Sequence, residues 1–224
     1  MIDVLDQAGI PELEEQAGTT VERSSLYGFL AVVFRAEPTP ELLAEIRRDS
    51  FRAALKAVDS GLADSLAGVS EQKLLDDLAV EYTHLFIGPG NHVAPYATLF
   101  LGGNNASLWG PETVWVKRFI EDAGFEYSTD FQDLPDHIAV ELEFMQQLTA
   151  NEAAAIESGD RDRAEILQAI EKEFVTAHMA KWIPDFCRKV QDRAEFPFYR
   201  DMAGLTEGFI LSEAAMFGAG ENTA

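Results

Sequence analysis

Cysteine is nearly absent. The chain has one, Cys187, so it can form no internal disulfide and hold no thiolate zinc cluster, and a reducing compartment is expected. Basic residues are also scarce: 17 Lys and Arg stand against 39 Asp and Glu, a formal charge of −22. Such a field repels nucleic-acid phosphates and anionic lipid and favours basic partners. No apolar run approaches the ~18 residues needed to span a bilayer. The first residues carry Asp3, Asp6, Glu12, Glu14 and Glu15 with no Lys or Arg before Arg23, the reverse of a secretory leader, so a cytoplasmic protein is expected. Missing too are a Gly-x-x-x-x-Gly-Lys phosphate loop, a Gly-x-Gly-x-x-Gly turn after a strand and a Gly-x-Ser-x-Gly elbow. Nucleotide and acyl-transfer chemistry are therefore unsupported by motif.

What is present is a globular composition, with 47% hydrophobic and 25% charged residues in 224. The apolar spacing is helical almost throughout. Residues 1–18 read as a loosely held acidic arm, and a helix is predicted from Val21 to the Glu37-Pro38-Thr39-Pro40 break, with Leu26, Phe29, Leu30, Val33 and Phe34 on one side. A second helix is predicted from Pro40 to Val58, with Leu42, Leu43, Ile46, Ala53, Leu55 and Val58 inward, followed by a weakly patterned stretch to Val69. Ser70 offers an N-cap to a helix that Gly88-Pro89-Gly90 stops. Pro111 opens another, with Val114, Trp115, Phe119 and Ile120 on its apolar side, ending at Gly124. Further helices are expected over Pro135–Ser158, 160–183 up to an interrupting Pro184, 184–194 and 199–216. The sum is an all-α bundle of about eight or nine helices forming one domain: an N-terminal lobe of about 19–126, a hinge at about 127–134 within the polar connection that starts at 125, and a C-terminal lobe of about 135–218.

Chemistry concentrates in Phe131–Met145. Pro135 fits the first helical position, Asp136 the first turn, where the macrodipole favours a carboxylate, and His137 and Glu141 are four apart and so share a helical face. That pair could act as a base with its orienting carboxylate, or bind a metal. Upstream, the loop from Asn91 to Gly103 is long and rich in Gly, Pro and aromatics, the kind of connection that carries function. Glu81-Tyr-Thr-His84 has the Glu-x-x-His form of di-iron bundles, but such sites need two, and Pro89, Leu134 and Val175 stand three before the other histidines. His84 then reads as a capping or packing residue, and His178, on the seam of Leu167, Ile170, Phe174 and Trp182, as a core histidine.

The order Glu81-Tyr-Thr-His-Leu-Phe-Ile-Gly-Pro-Gly90, Pro95-Tyr96, Leu108-Trp-Gly110 and Leu134-Pro-Asp-His-Ile-Ala-Val-Glu-Leu-Glu-Phe-Met145 resembles the TorD/DmsD family of maturation chaperones for molybdenum redox enzymes, over about residues 25–200. The resemblance implies an all-helical, cytoplasmic, non-enzymatic protein. It would bind the twin-arginine signal peptide and apo-form of a molybdopterin-containing oxidoreductase, delay its export and assist cofactor insertion. It also implies no resident cofactor, with weak GTP binding in some relatives, and a monomer or domain-swapped dimer. Asp136 and His137 match positions implicated in peptide binding, Pro135 and Glu141 complete the motif, and Gly88, Pro89, Pro95 and Tyr96 match the loop lining the same groove. Many relatives carry Glu before the proline, where this chain has Leu134.

The residues support that role independently, because a receptor for two arginines and an apolar segment needs carboxylates beside an apolar groove. Asp136, Glu141 and Glu143 would supply them, next to Tyr96, Leu99, Phe100 and Trp109, if the loop meets the helix start. The alternative is a helical metal- or nucleotide-dependent hydrolase using His137 and Glu141.

Overall fold

A computed structural model describes residues 10–48, 69–90, 92–103, 106–126 and 133–219. Among these the architecture is all-α: α1 (Ile10–Arg35), α2 (Pro40–Ile46), α3 (Glu71–Tyr82), α4 (Thr98–Leu101), α5 (Pro111–Asp122), α6 (Ile138–Ser158), α7 (Arg161–Phe174), α8 (Ala180–Arg193) and α9 (Pro197–Ala219). Two π turns, Thr83–Ile87 and Val175–Met179, continue α3 and α7. The strand-like element is an isolated antiparallel bridge between Tyr96 and His137.

Several boundaries follow the local signals. Thr39 caps α2 by accepting from the Leu42 amide, and Ser70 caps α3 by accepting from Lys73. Gly159, left-handed at φ 77°, ends α6, and the Asp160 side chain then caps α7. Others differ from the sequence reading. Residues 10–18 belong to α1 rather than to a loose arm, and 1–9 lie outside the described residues. The second helix ends at Ile46, and Ala53, Leu55 and Val58 lie outside the described residues. On α5 the buried face is Thr113, Val116 and Ile120, which leaves Val114 and Trp115 partly exposed.

Pro184 does not interrupt the chain but sits inside α8. A proline crowds the carbonyl four residues earlier, here that of Ala180, which is where the wide π turn hands over to α8 and the ladder already changes register. The two helices expected over 160–183 and 184–194 are therefore one continuous helical rod.

At the centre lies α6, buried on nearly all sides and packed against α1 and α7. Ile138, Leu142, Met145 and Leu148 are fully covered, each contributing on the order of 2 kcal/mol of apolar transfer. Buried side chains from both sides of the expected hinge, Leu30 and Phe34 as well as Phe174 and Phe186, belong to one apolar cluster, and residues 127–132 lie outside the described set. A second tie is ionic. Arg23 on α1 reaches Glu152 on α6 (3.2 Å), Glu171 on α7 (2.7 Å) and Glu213 on α9 (2.6 Å), while Tyr27 donates to Glu213 (3.0 Å).

Candidate functional site: a cleft beside the Pro-Asp-His turn

Leu134-Pro-Asp-His137 is a tight turn closed by the His137 amide donating to the Leu134 carbonyl (3.0 Å). Pro135 occupies its second position, which its fixed φ suits, so it is a turn proline rather than the first residue of α6. The helix N-cap is His137, extended at φ −72° and ψ 135°, whose Nδ1 accepts from the Ala139 amide at 3.1 Å. That bond needs a neutral ring. Burial holds the imidazole's pKa down to about 4, so neutrality persists well below pH 7.

Because His137 is extended and Glu141 helical, the two do not share a face. Glu141 is fully buried, with Oε1 2.7 Å from His178 Nε2 and Oε2 accepting from Trp182 Nε1 at 3.0 Å. His178 in turn lies between Trp115 and Phe174, at ring distances of 5.0 and 5.4 Å. Glu141 thus orients His178 instead of His137, which removes the geometry required for the hydrolase alternative. Among the described residues no group of three or more His, Cys, Asp and Glu is placed to hold a metal ion. Glu81 of the Glu-x-x-His pair instead accepts the Glu195 and Phe196 amides (2.7 and 2.8 Å) at the turn into α9.

Asp136 is also inward, with no exposed surface. Its Oδ2 takes the Thr98 amide at 2.9 Å and so caps α4, while the Ala97 amide bonds the Asp136 carbonyl (3.0 Å) and the Ile138 amide bonds that of Pro95 (2.9 Å). Burial pushes the Asp136 carboxyl up from the usual carboxylate range, opposed by the Thr98 amide and the Thr113 hydroxyl. The far side of α4 is fixed by a close approach: a Cβ on Gly110 would come within 2.1 Å of Thr98 Oγ1, so only glycine fits there. The expected meeting of loop and helix start is therefore present, as a backbone bridge with a buried carboxylate beneath it.

On its outer side this bridge walls a cleft of ≈ 370 Å³. Pro95, Tyr96 and His137 form one wall and Tyr82, Phe86 and Ile87 another, with Arg35, Glu37 and Asp133 among the polar lining groups. Tyr96 stands edge-on to His137, 5.1 Å between ring centres, and donates its hydroxyl to Asp133 Oδ1 at 3.0 Å. Burial, then the Asp133 charge, push the Tyr96 phenol up, so it remains a donor. Glu37 accepts from Thr83 (3.0 Å), and Arg35, in the last turn of α1, pairs with Glu143 of α6.

Of the sequence-designated residues, Pro95, Tyr96 and His137 line this cleft, and Pro135, Asp136 and Glu141 are buried. Gly88 and Pro89 follow directly on Ile87 of the cleft wall. Trp109 is not part of the lining: it is 66% exposed on the loop before α5, with a left-handed backbone at φ 63°. Phe100 packs on Trp182 and Phe186 at 5.6 and 6.0 Å. Sequence reasoning missed Arg35, Glu37 and Asp133. For Asp133 there was a signal, a carboxylate one residue before Leu134, which supplies at the cleft an acidic group that Leu134 lacks. For Arg35, about a hundred residues from the motif, there was none.

The chain is 26% identical over 208 residues to the chaperone protein TorD of Shewanella pealeana, covering 86% of this chain and 88% of that one. It is 25% identical over 216 residues to the TorD chaperone of Photobacterium profundum, covering 91% and 97%. A solved structure described as a redox enzyme maturation protein of Archaeoglobus fulgidus aligns with a TM-score of 0.49 at 22% identity, covering 84% and 93%. These curated relatives are named as chaperones, not enzymes. Residues 48–188 match the family described as the nitrate reductase delta subunit, and the chain belongs to that TorD-like family of redox-enzyme maturation chaperones.

Proposed function

We propose that this chain is a cytoplasmic chaperone that holds the twin-arginine leader of an apo-molybdoenzyme subunit in the cleft beside His137, delaying export while the cofactor is inserted. The observation that carries the reading is the composition of that cleft: carboxylates of Glu37 and Asp133 beside an apolar wall of Tyr82, Phe86 and Ile87. A leader with two adjacent guanidinium groups followed by apolar residues is the complement of that lining. Charge-assisted bonds would fix orientation, and apolar burial would supply most of the affinity. No resident cofactor is needed. Asp136 and Glu141 act beneath the site, holding the bridge and α4, rather than on the peptide. Among the described residues no helix is long and apolar enough to cross a membrane, which suits a protein that meets its client before export.

Calorimetric titration of the full-length protein with a peptide of two arginines and an apolar tail tests the reading. Replacing Asp133 by Asn together with Glu37 by Gln should weaken binding about tenfold, the worth of one charge-assisted hydrogen bond. Unchanged affinity in that double variant would place the peptide elsewhere.

A further inference from the structure

We infer that Thr83 is a positioning residue of the cleft: its hydroxyl aims the Glu37 carboxylate at an incoming guanidinium and so sets the preference for arginine over lysine. The inference rests on the cleft being the leader's site. It starts from an exception among the threonines. Thr19, Thr20, Thr149, Thr176 and Thr206 each donate to the carbonyl four residues earlier, at 2.7–3.0 Å, the ordinary bond of a helical threonine. Thr83 has helical backbone too, φ −60° and ψ −44°, yet its hydroxyl leaves the helix and donates to Glu37 Oε1 at 3.0 Å, across 46 positions of chain. The wide turn in which it stands is not the cause, because Thr176, inside the other π turn, bonds back to Lys172.

Both ends of that bond are held. Thr83 opens the π turn over Thr83–Ile87, which is closed by the Gly88 amide donating to the Thr83 carbonyl at 2.6 Å, and the same turn carries Phe86 and Ile87 of the cleft wall. Glu37 precedes Pro38, and a residue before proline is steered to extended backbone. Its backbone is thus restricted by the next residue and its side chain by Thr83. Without the hydroxyl, an exposed glutamate keeps several rotors that a ligand must immobilise on arrival. The donor is also neutral. A hydroxyl orients the carboxylate without cancelling the charge that a cationic ligand needs. Asp133, the other carboxylate of the cleft lining, accepts a hydroxyl as well, from Tyr96 at 3.0 Å.

Orientation matters more to one cation than to the other. A guanidinium meets a carboxylate with two parallel N–H donors and needs the two planes aligned, while an ammonium is a point charge that follows the carboxylate wherever it turns. Thr83 takes one lone pair of Oε1, and the second lone pair of Oε1 and those of Oε2 remain for the fork. Fixing the carboxylate plane therefore favours arginine, and freeing it costs arginine most.

Fluorescence anisotropy on the full-length protein, with a labelled peptide of two arginines and an apolar tail and its two-lysine analogue, tests this. Thr83→Val, which keeps the shape and loses the hydroxyl, should bind the arginine peptide about threefold more weakly, the low end for one hydrogen bond, and leave the lysine peptide nearly unchanged. Thr83→Ser should restore both affinity and preference. In a Glu37→Gln background, Thr83→Val should cause no further loss. The role is overturned, with the cleft reading intact, if Asp133→Asn weakens arginine binding while Thr83→Val leaves it unchanged, weakens both peptides alike, or acts equally with and without Glu37. If neither Asp133→Asn nor Glu37→Gln weakens binding, the cleft reading falls and takes this role with it. Thermal melts report whether each variant is folded, and Thr83→Ala, read in the same way, replaces Thr83→Val if the valine variant melts early.

Discussion

Asp136 illustrates how a motif residue can be needed without touching a ligand. Its carboxylate caps α4 through the Thr98 amide with no exposed surface, so truncation leaves a buried donor unpaired. Asp136→Ala should lose about 1–3 kcal/mol in urea denaturation at constant m, while Asp136→Asn, which keeps an acceptor oxygen, should lose less. A loss of peptide affinity at unchanged stability would instead make Asp136 a contact. At this scale the sequence concentrated attention on Pro135, Asp136, His137 and Glu141, because such residue types rarely cluster without a task. It misplaced their directions, since the four-residue spacing puts side chains on one face only if both residues are helical, and His137 is an extended N-cap. A single cap dihedral turned Glu141 towards His178 and left His137 on the cleft.

Among the elements, α1 is tied to α6, α7 and α9 by one buried arginine facing three carboxylates and Tyr27, with Gln168 also reaching Glu152 (3.4 Å). One cation cannot balance three buried anions. Burial pushes Glu171 up to about 8 and Glu152 upward as well, so the folded state holds a proton there that the unfolded chain releases near its ordinary carboxylate range. A folded-state pKa that is raised means the native state binds more protons across the window, so this contribution to stability is present in acid and is lost as pH rises from about 4.5 through about 8. Denaturation curves for wild type and Glu171→Gln should diverge between about pH 4.5 and about 8, with the wild type falling and the variant nearly flat. Parallel curves would mean that the proton is not at Glu171. Helix positions were legible from caps and apolar spacing at Thr39, Ser70, Gly159 and Asp160. The α7–α8 rod was not, because Pro184 is ordinarily a break, and the π turn that accommodates it has no residue signature of its own.

For the whole molecule the charge of −22 acts through its field. A cationic leader should be drawn in quickly at low salt, and raising NaCl from about 0.05 to 0.5 M, which shortens the screening length from above 10 Å to roughly 4 Å, should lower the association rate far more than it raises dissociation. Stopped-flow mixing checks this. A salt-independent association rate would show that the acidic surface serves solubility alone.

By itself the sequence determined the class of the fold, the positions of most helices, the acidity, and the turn at which to look, since all of these follow from local periodicity, capping chemistry and residue counts. The family pattern, too, was readable in the order of short motifs. Tertiary structure alone decided which side of the turn meets solvent, because that depends on the Tyr96–His137 bridge between segments 41 positions apart. It also brought Arg35, Glu37 and Asp133 to one cleft. No local rule encodes that meeting: α1 and the Pro-Asp-His turn are neighbours only because α6 is buried along its length and draws both to the same end of the core.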